Sequence, residues 1–194
     1  MIAYLDGKFV YKNPTVVYLD VHGVGYEVNV SLNTYSQIQG MAEGKLYTYL
    51  QVREDAHILY GFYEIAEKEM FVLLIGVSGI GAATARMMLS SMRPDEIGRA
   101  ILQGNARLLE SVKGIGRKTA ERLVLELRDK VNKHAQEPGM TPAKGNSLEQ
   151  DALNALIALG IAKPMAEQAI NKTIKSDPSI TQLEDLIKKT LKAI

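Results

Sequence analysis

The chain has 194 residues, with 23 Lys+Arg against 22 Asp+Glu, 46% hydrophobic residues and no Cys. That length allows one or two ordinary domains or several small ones, and the composition supports a buried core rather than wholesale disorder. Without Cys there is no disulfide framework, thiol nucleophile or Cys-held zinc or iron–sulfur centre, and His22, His57 and His134 offer no i, i+4 pair for a metal.

The opening MIAYLDGK lacks a basic segment followed by an apolar one, so no signal peptide is expected and the cytoplasm is the expected compartment. All nine Tyr and two of the three Phe fall within residues 1–63, which places a domain boundary near 63. This segment has strand grammar: alternating or β-branched runs at Ile2–Leu5, Thr15–Val21, Tyr26–Leu32, Lys45–Val52 and Ile58–Tyr63. Turn signals at Asp6-Gly7, Asn13-Pro14, His22-Gly23 and Glu43-Gly44 separate them. Five short strands predict a small, partly closed barrel of the OB type, with an SH3-like barrel as the structural rival. The tyrosines are expected to pack in the core and across strands rather than to stack on bases.

From Glu64 the apolar spacing becomes helical and continues to about Val131, predicting an all-α segment over 64–134. The longest uncharged run, Met70 to Ala85, has 16 residues and three Gly, too short to cross a bilayer. Residues 135–146, AQEPGMTPAKGN, read as an extended linker. Beyond it, Ser147 with Gln150 signals a helix start, Gly160 a stop, Pro164 a restart and Asp177-Pro178 another break, so three short helices are expected over 147–194. Counting residues by segment gives 4 basic and 6 acidic in 1–63, 12 and 9 in 64–134, and 7 and 7 in 135–194. Only the middle segment is basic, and modestly, so a nucleic-acid site has to be argued from local placement.

The strongest local feature is a repeat. VSGIGAATA (Val77–Ala85) returns 35 residues later as VKGIGRKTA (Val112–Ala120), with six of nine positions identical. Each copy lies between apolar helical stretches and reads as helix, tight Gly-x-Gly bend, helix. The glycines allow positive φ and let another backbone come close, while Ile80 and Ile115 are expected to anchor the bends inward. The amides left facing outward at a helix start make an anion site suited to phosphate. A dinucleotide fingerprint is excluded by the Thr at the sixth position and by the helical context, and the spacing does not fit a P-loop. Candidate DNA-binding residues are Val77, Gly79, Ile80, Gly81, Thr84 and Arg86 in the first copy, and Lys113, Gly114, Ile115, Gly116, Arg117, Lys118 and Thr119 in the second. Binding through amides and surrounding cations is expected to be sequence-independent and salt-sensitive.

These residues match the helix-hairpin-helix motif, and the order of segments resembles the RuvA family of Holliday-junction-binding subunits over essentially the whole chain. VREDAHILYGF (Val52–Phe62) and DALNALIALG are the further local matches. The resemblance implies an OB-fold barrel, a tandem helix-hairpin-helix domain and a small UBA-like three-helix bundle that docks a RuvB-type hexameric AAA+ ATPase. It further implies a homotetramer or face-to-face octamer, a RuvC-type resolvase in the same pathway, a role in recombination and repair, and no catalysis or cofactor in this chain.

Glu54 and Asp55 follow Arg53 between the last two predicted strands. Read alone, the pair is a solvated turn, with a metal-binding pair as the alternative, which would require the turn to splay the two side chains together. The resemblance gives it the role of an acidic pin, whose carboxylates repel phosphates by about 1 kcal/mol per pair at 4 Å in water and more where water is excluded. Ala82 and Ala83 stand where the second copy has Arg117 and Lys118, so the first bend is expected to rely on its amides, Thr84 and Arg86. Leu156, Leu159 and Ile161 are candidate partner-docking residues, with burial in the bundle as the alternative. The competing function classes are an enzyme that grips DNA by the bends, for which Asp129 is the sole candidate acid, and a duplex-binding architectural protein, which leaves the acidic turn unexplained.

Overall fold

The computed structural model describes residues 1–136, 148–177, 180 and 182–193. Residues 1–139 form one compact unit and residues 140–194 a second.

The first unit opens with a closed five-stranded barrel in the order β1-β2-β3-β5-β4. Its strands are β1 (Tyr4–Lys12), β2 (Val16–Val21), β3 (Val24–Val30), β4 (Glu43–Val52) and β5 (His57–Phe62), and a short helix α1 (Leu32–Ile38) separates β3 from β4. All neighbours are antiparallel except β3 and β5, whose parallel pairing sets Asn29 opposite Tyr60. The expected OB-type architecture is thus present, with two corrections to its parts. Asp6-Gly7 and Glu43-Gly44 are not turns: Gly7 and Gly44 face each other within the β1/β4 ladder. A Cβ on Gly7 would lie 2.1 Å from the Asp20 carbonyl oxygen, so glycine there serves a close strand crossing rather than a bend. The strand expected to run to Leu32 stops at Val30, because Ser31 caps α1 by accepting from the Thr34 amide at 3.0 Å.

The barrel interior holds Leu5, Val17, Leu19, Val28, Val30, Leu46 and Leu59, with Ile38 of α1 packed among them. β5 is buried on both sides. Leu59 faces this core, while Tyr60 and Phe62 belong to a second cluster shared with the helices that follow.

Those helices are α2 (Ile65–Ile75), α3 (Ala82–Ser91), α4 (Pro94–Leu102), α5 (Ala106–Glu110) and α6 (Arg117–Gln136). Phe71, the sole aromatic beyond residue 63, lies fully buried with its ring 5.0 to 5.5 Å from those of Phe62, Tyr60 and Tyr49. A second join is polar. Glu67 on α2 is buried and accepts from the hydroxyls of Ser31 and, at 2.6 Å, Thr34. Burial pushes its carboxyl above the ordinary glutamate range, against the lowering effect of the two hydroxyls. The change of composition near residue 63 is therefore a change from strands to helices inside one compact unit.

α6 runs to Gln136, two residues into the segment read as a linker; positions 137–146 of that reading lie outside the described residues, as do Ser147 and Pro178. The second unit contains α7 (Leu148–Ala158), α8 (Lys163–Ser176) and α9 (Leu183–Ala193), closed around Ala152, Leu153, Leu156, Ala166, Ile170 and Leu186. Gly160 turns the chain between α7 and α8 at φ +90°. This is the expected three-helix bundle.

Candidate nucleic-acid interface

The two repeats fold into matching bends. Gly79 has φ +92° and Gly114 φ +94°, a region that disfavours any side chain. In each copy the isoleucine amide donates to the valine carbonyl three residues back, Ile80 to Val77 and Ile115 to Val112, both at 3.0 Å. The first intrahelical bond then closes from Ala85 to Gly81 and from Ala120 to Gly116, both at 2.9 Å. The candidates Val77, Ile80 and Ile115 are buried, as is Val112, so they offer main chain only and fix each bend to the core.

What remains outside is backbone. Gly79, Gly81, Gly114 and Gly116 are exposed, and a Cβ at any of the four would meet nothing within 4 Å. Among the described residues, the amides of Gly79, Gly81 and the first three residues of α3 have no main-chain acceptor, and the same holds for Gly114, Gly116 and the first three residues of α6. Donors in this arrangement suit an anion brought to the helix start.

The cations differ between copies. Lys113, Arg117 and Lys118 are exposed around the second bend, and Thr119 is half-buried, like Thr84 in the first. The Arg117 guanidinium is shared with Glu121 at 2.9 Å, which holds its pKa above the usual guanidinium range. Ala82 and Ala83 are not equivalent vacancies: Ala82 is 1% exposed, whereas Ala83 faces solvent. Arg86 turns the other way from the expected phosphate contact. Its Nη1 donates to Asn29 Oδ1 at 2.7 Å and to the Thr15 carbonyl at 3.2 Å, tying α3 to the barrel.

Arg122 is the residue that sequence reading missed. Its Nη1 reaches across from α6 to the Ser78 carbonyl in the first bend at 3.4 Å, and its Nε meets Glu126 at 3.1 Å. A cation next to the bend that lacks its own is thus supplied from 44 positions away. Nothing in the local sequence marks it, since it reads as one arginine on a charged helix face.

Glu54 and Asp55 are exposed in the turn between β4 and β5, closed by the Arg53 amide donating to Ala56 O at 2.9 Å. They sit in a turn, not on a strand, and no group of three or more His, Asp or Glu suited to a metal forms among the described residues. Asp129 is exposed on α6. In the second unit Leu156 is fully buried in the bundle core, which removes it from any docking surface; Ile161 packs partly against that core, and Leu159 is 64% exposed. Among the described residues no helix is long and apolar enough to cross a membrane.

Known families account for this arrangement part by part. The RuvA N-terminal domain matches residues 1–61, a SAM-like helix-hairpin-helix tandem matches 71–129, and the RuvA C-terminal domain matches 147–194. Relatives include Holliday junction branch migration complex subunits RuvA from Cytophaga hutchinsonii, 46% identical over 99% of both chains, and from Christiangramia forsetii, 45% identical over the full length of both. A third, from Flavobacterium psychrophilum, is 45% identical over 99% of both chains. With its barrel, paired glycine bends and terminal bundle each matched in order, the chain belongs to the RuvA family.

Proposed function

We propose that this chain binds four-way DNA junctions by shape, holds them open, and serves as the non-catalytic DNA-binding subunit of a branch-migration complex in recombination and repair. The observation that carries this reading is the pairing of two matching amide-rich bends with an exposed acidic turn in one compact unit.

The bends attract phosphates of any sequence through main-chain N–H groups, reinforced by Lys113, Arg117 and Lys118 at the second and by Arg122 at the first. Glu54 and Asp55 oppose phosphates passing over the turn. Continuous duplex suffers that repulsion, whereas a junction opened at its centre places arms on the bends and leads strands around the carboxylates. Several acidic turns must meet at that centre, so the active species is a homotetramer or an octamer of two such rings.

ATP hydrolysis belongs to a RuvB-type motor, recruited in the cytoplasm through the 140–194 unit. The exposed Leu159, with Ile157 and Met165 nearby in sequence and 40% and 52% exposed, is the proposed docking surface. A RuvC-type resolvase acts on the same junction later in the pathway.

Competition gel shifts between labelled four-way junction and duplex of the same arm sequence test the reading, together with product analysis and solution mass. Junction preference, intact strands and a mass of four or eight chains are expected. Strand cleavage or base release by the chain alone, or a persistent monomer on junction DNA, overturns it.

A further inference from the structure

Arg86 looks like a phosphate ligand in the sequence, five positions past Gly81, yet its guanidinium is committed to the barrel. The acceptor on the barrel side is Asn29, and Asn29 has a second bond: its Nδ2 donates to the Leu59 carbonyl at 3.4 Å. One amide side chain thus links β5 to α3. β5 starts at His57, immediately beyond the turn that carries Glu54 and Asp55, and α3 starts at Ala82, immediately beyond the first glycine bend. The amide orientation follows from its partners, because arginine only donates and a carbonyl only accepts.

We infer that Asn29 and Arg86 form a positioning pair that fixes the first glycine bend relative to the acidic turn, and so sets junction selectivity without touching DNA.

The surrounding bonds support a clamp. The Thr15 carbonyl that takes the second Arg86 bond also accepts from the Val30 amide at 3.0 Å, and Thr15 itself is pinned by Asn13 Oδ1 at 2.8 Å. At the far end of α3, Asn33 donates to the carbonyls of Leu89 and Met92, and the Leu32 amide donates to Ser90 Oγ at 3.1 Å. α3 is therefore anchored twice, at its middle by Arg86 to β3 and the Thr15 carbonyl, and at its C-terminal end to α1. The Arg86 anchor is the nearer of the two to the bend and, through Asn29, bonds to the strand beside the carboxylates. Attraction at the bends alone grips a duplex. Discriminating a junction needs attraction and repulsion held at a fixed spacing, which is a demand on this link.

The inference rests on the junction-binding reading and is tested with the full-length chain. Asn29→Ala, Arg86→Gln and the double variant are titrated on labelled four-way junction and matched duplex over a salt series, with a thermal melt of each. Each single variant is expected to lower the junction-to-duplex affinity ratio about five-fold or more, to leave duplex affinity and its salt slope near wild type, and to lose little more in the double variant. The charge-neutral Asn29→Ala is the decisive arm; if it fails to fold, the half-buried surface Arg86→Gln carries the same comparison. An unchanged ratio overturns the inference. So does a duplex salt slope reduced by about 0.9 in Arg86→Gln, the signature of one lost phosphate contact. A wild-type chain with no junction preference instead defeats the underlying reading, and this inference with it.

Discussion

Ile80 and Ile115 occupy the same position in two copies of one bend, each 5% exposed and each bonded through its amide to the valine three residues earlier. Their burial holds the bends rigid while the glycines on either side stay bare. The two glycines of each bend then have separable roles. Gly79 and Gly114 have positive φ, so alanine there costs about 1–2 kcal/mol in backbone strain. Gly81 is extended at φ −85°, and neither Gly81 nor Gly116 has anything within 4 Å of an added Cβ. Gly81→Val and Gly116→Val are therefore expected to cost only about 1 kcal/mol, the loss of a tolerated helix-cap residue, yet to abolish DNA binding, read by chemical denaturation beside gel shift.

Neutralising the acidic turn acts in the opposite sense. Glu54→Gln with Asp55→Asn removes repulsion without altering the turn's backbone bond from Arg53 to Ala56. Duplex affinity should rise relative to junction affinity, and an unchanged ratio in competition gel shifts rejects the pin.

Charge at the first bend can be added at one position and not at its neighbour. Ala83 is exposed, so Ala83→Lys should strengthen binding to both DNA forms and steepen the salt slope by about 0.9. Ala82 is packed, and Ala82→Lys should instead lower the melting temperature. Arg122→Ala should reduce the slope by a similar amount, which salt titration on duplex would measure directly.

Glu67 gives a pH signature. Its folded carboxyl titrates above the ordinary glutamate value, because burial penalises the charge. Between the unfolded pKa and the raised folded one, the native state holds a proton that the unfolded chain has released. Glu67 therefore contributes stability that is complete below the unfolded pKa and is lost as pH rises through the raised folded value. Glu67→Gln should flatten that fall in urea titrations across pH. Glu67→Ala should cost about 2–4 kcal/mol at any pH, since it strips the acceptors from two buried hydroxyls.

The barrel and the bends were legible in the sequence for different reasons. Strand alternation and turn residues announce five strands, and the repeat announces the bends through identical glycines and buried isoleucines. α1 was hidden: SLNTYSQI carries a capping serine, but two of the three positions it buries, Ser31 and Thr34, are polar, so no apolar period marks a helix. Gly7 and Gly44 misled because a glycine required for close strand approach has the same letter as one required for a turn. Arg86 and Arg122 exchanged roles for a related reason. The arginine adjacent to the first bend serves the barrel, and the cation beside that bend comes from α6, a relationship of three-dimensional packing that spacing along the chain does not encode.

Phe71, wedged among Tyr49, Tyr60 and Phe62, makes the helices a cladding for the outside of β4 and β5 as well as a carrier of the bends. A truncation after the last strand would leave oily rings facing water instead of freeing a finished module. The strands and the bends thus fold as a single piece, and a shorter fragment of this half is expected to clump.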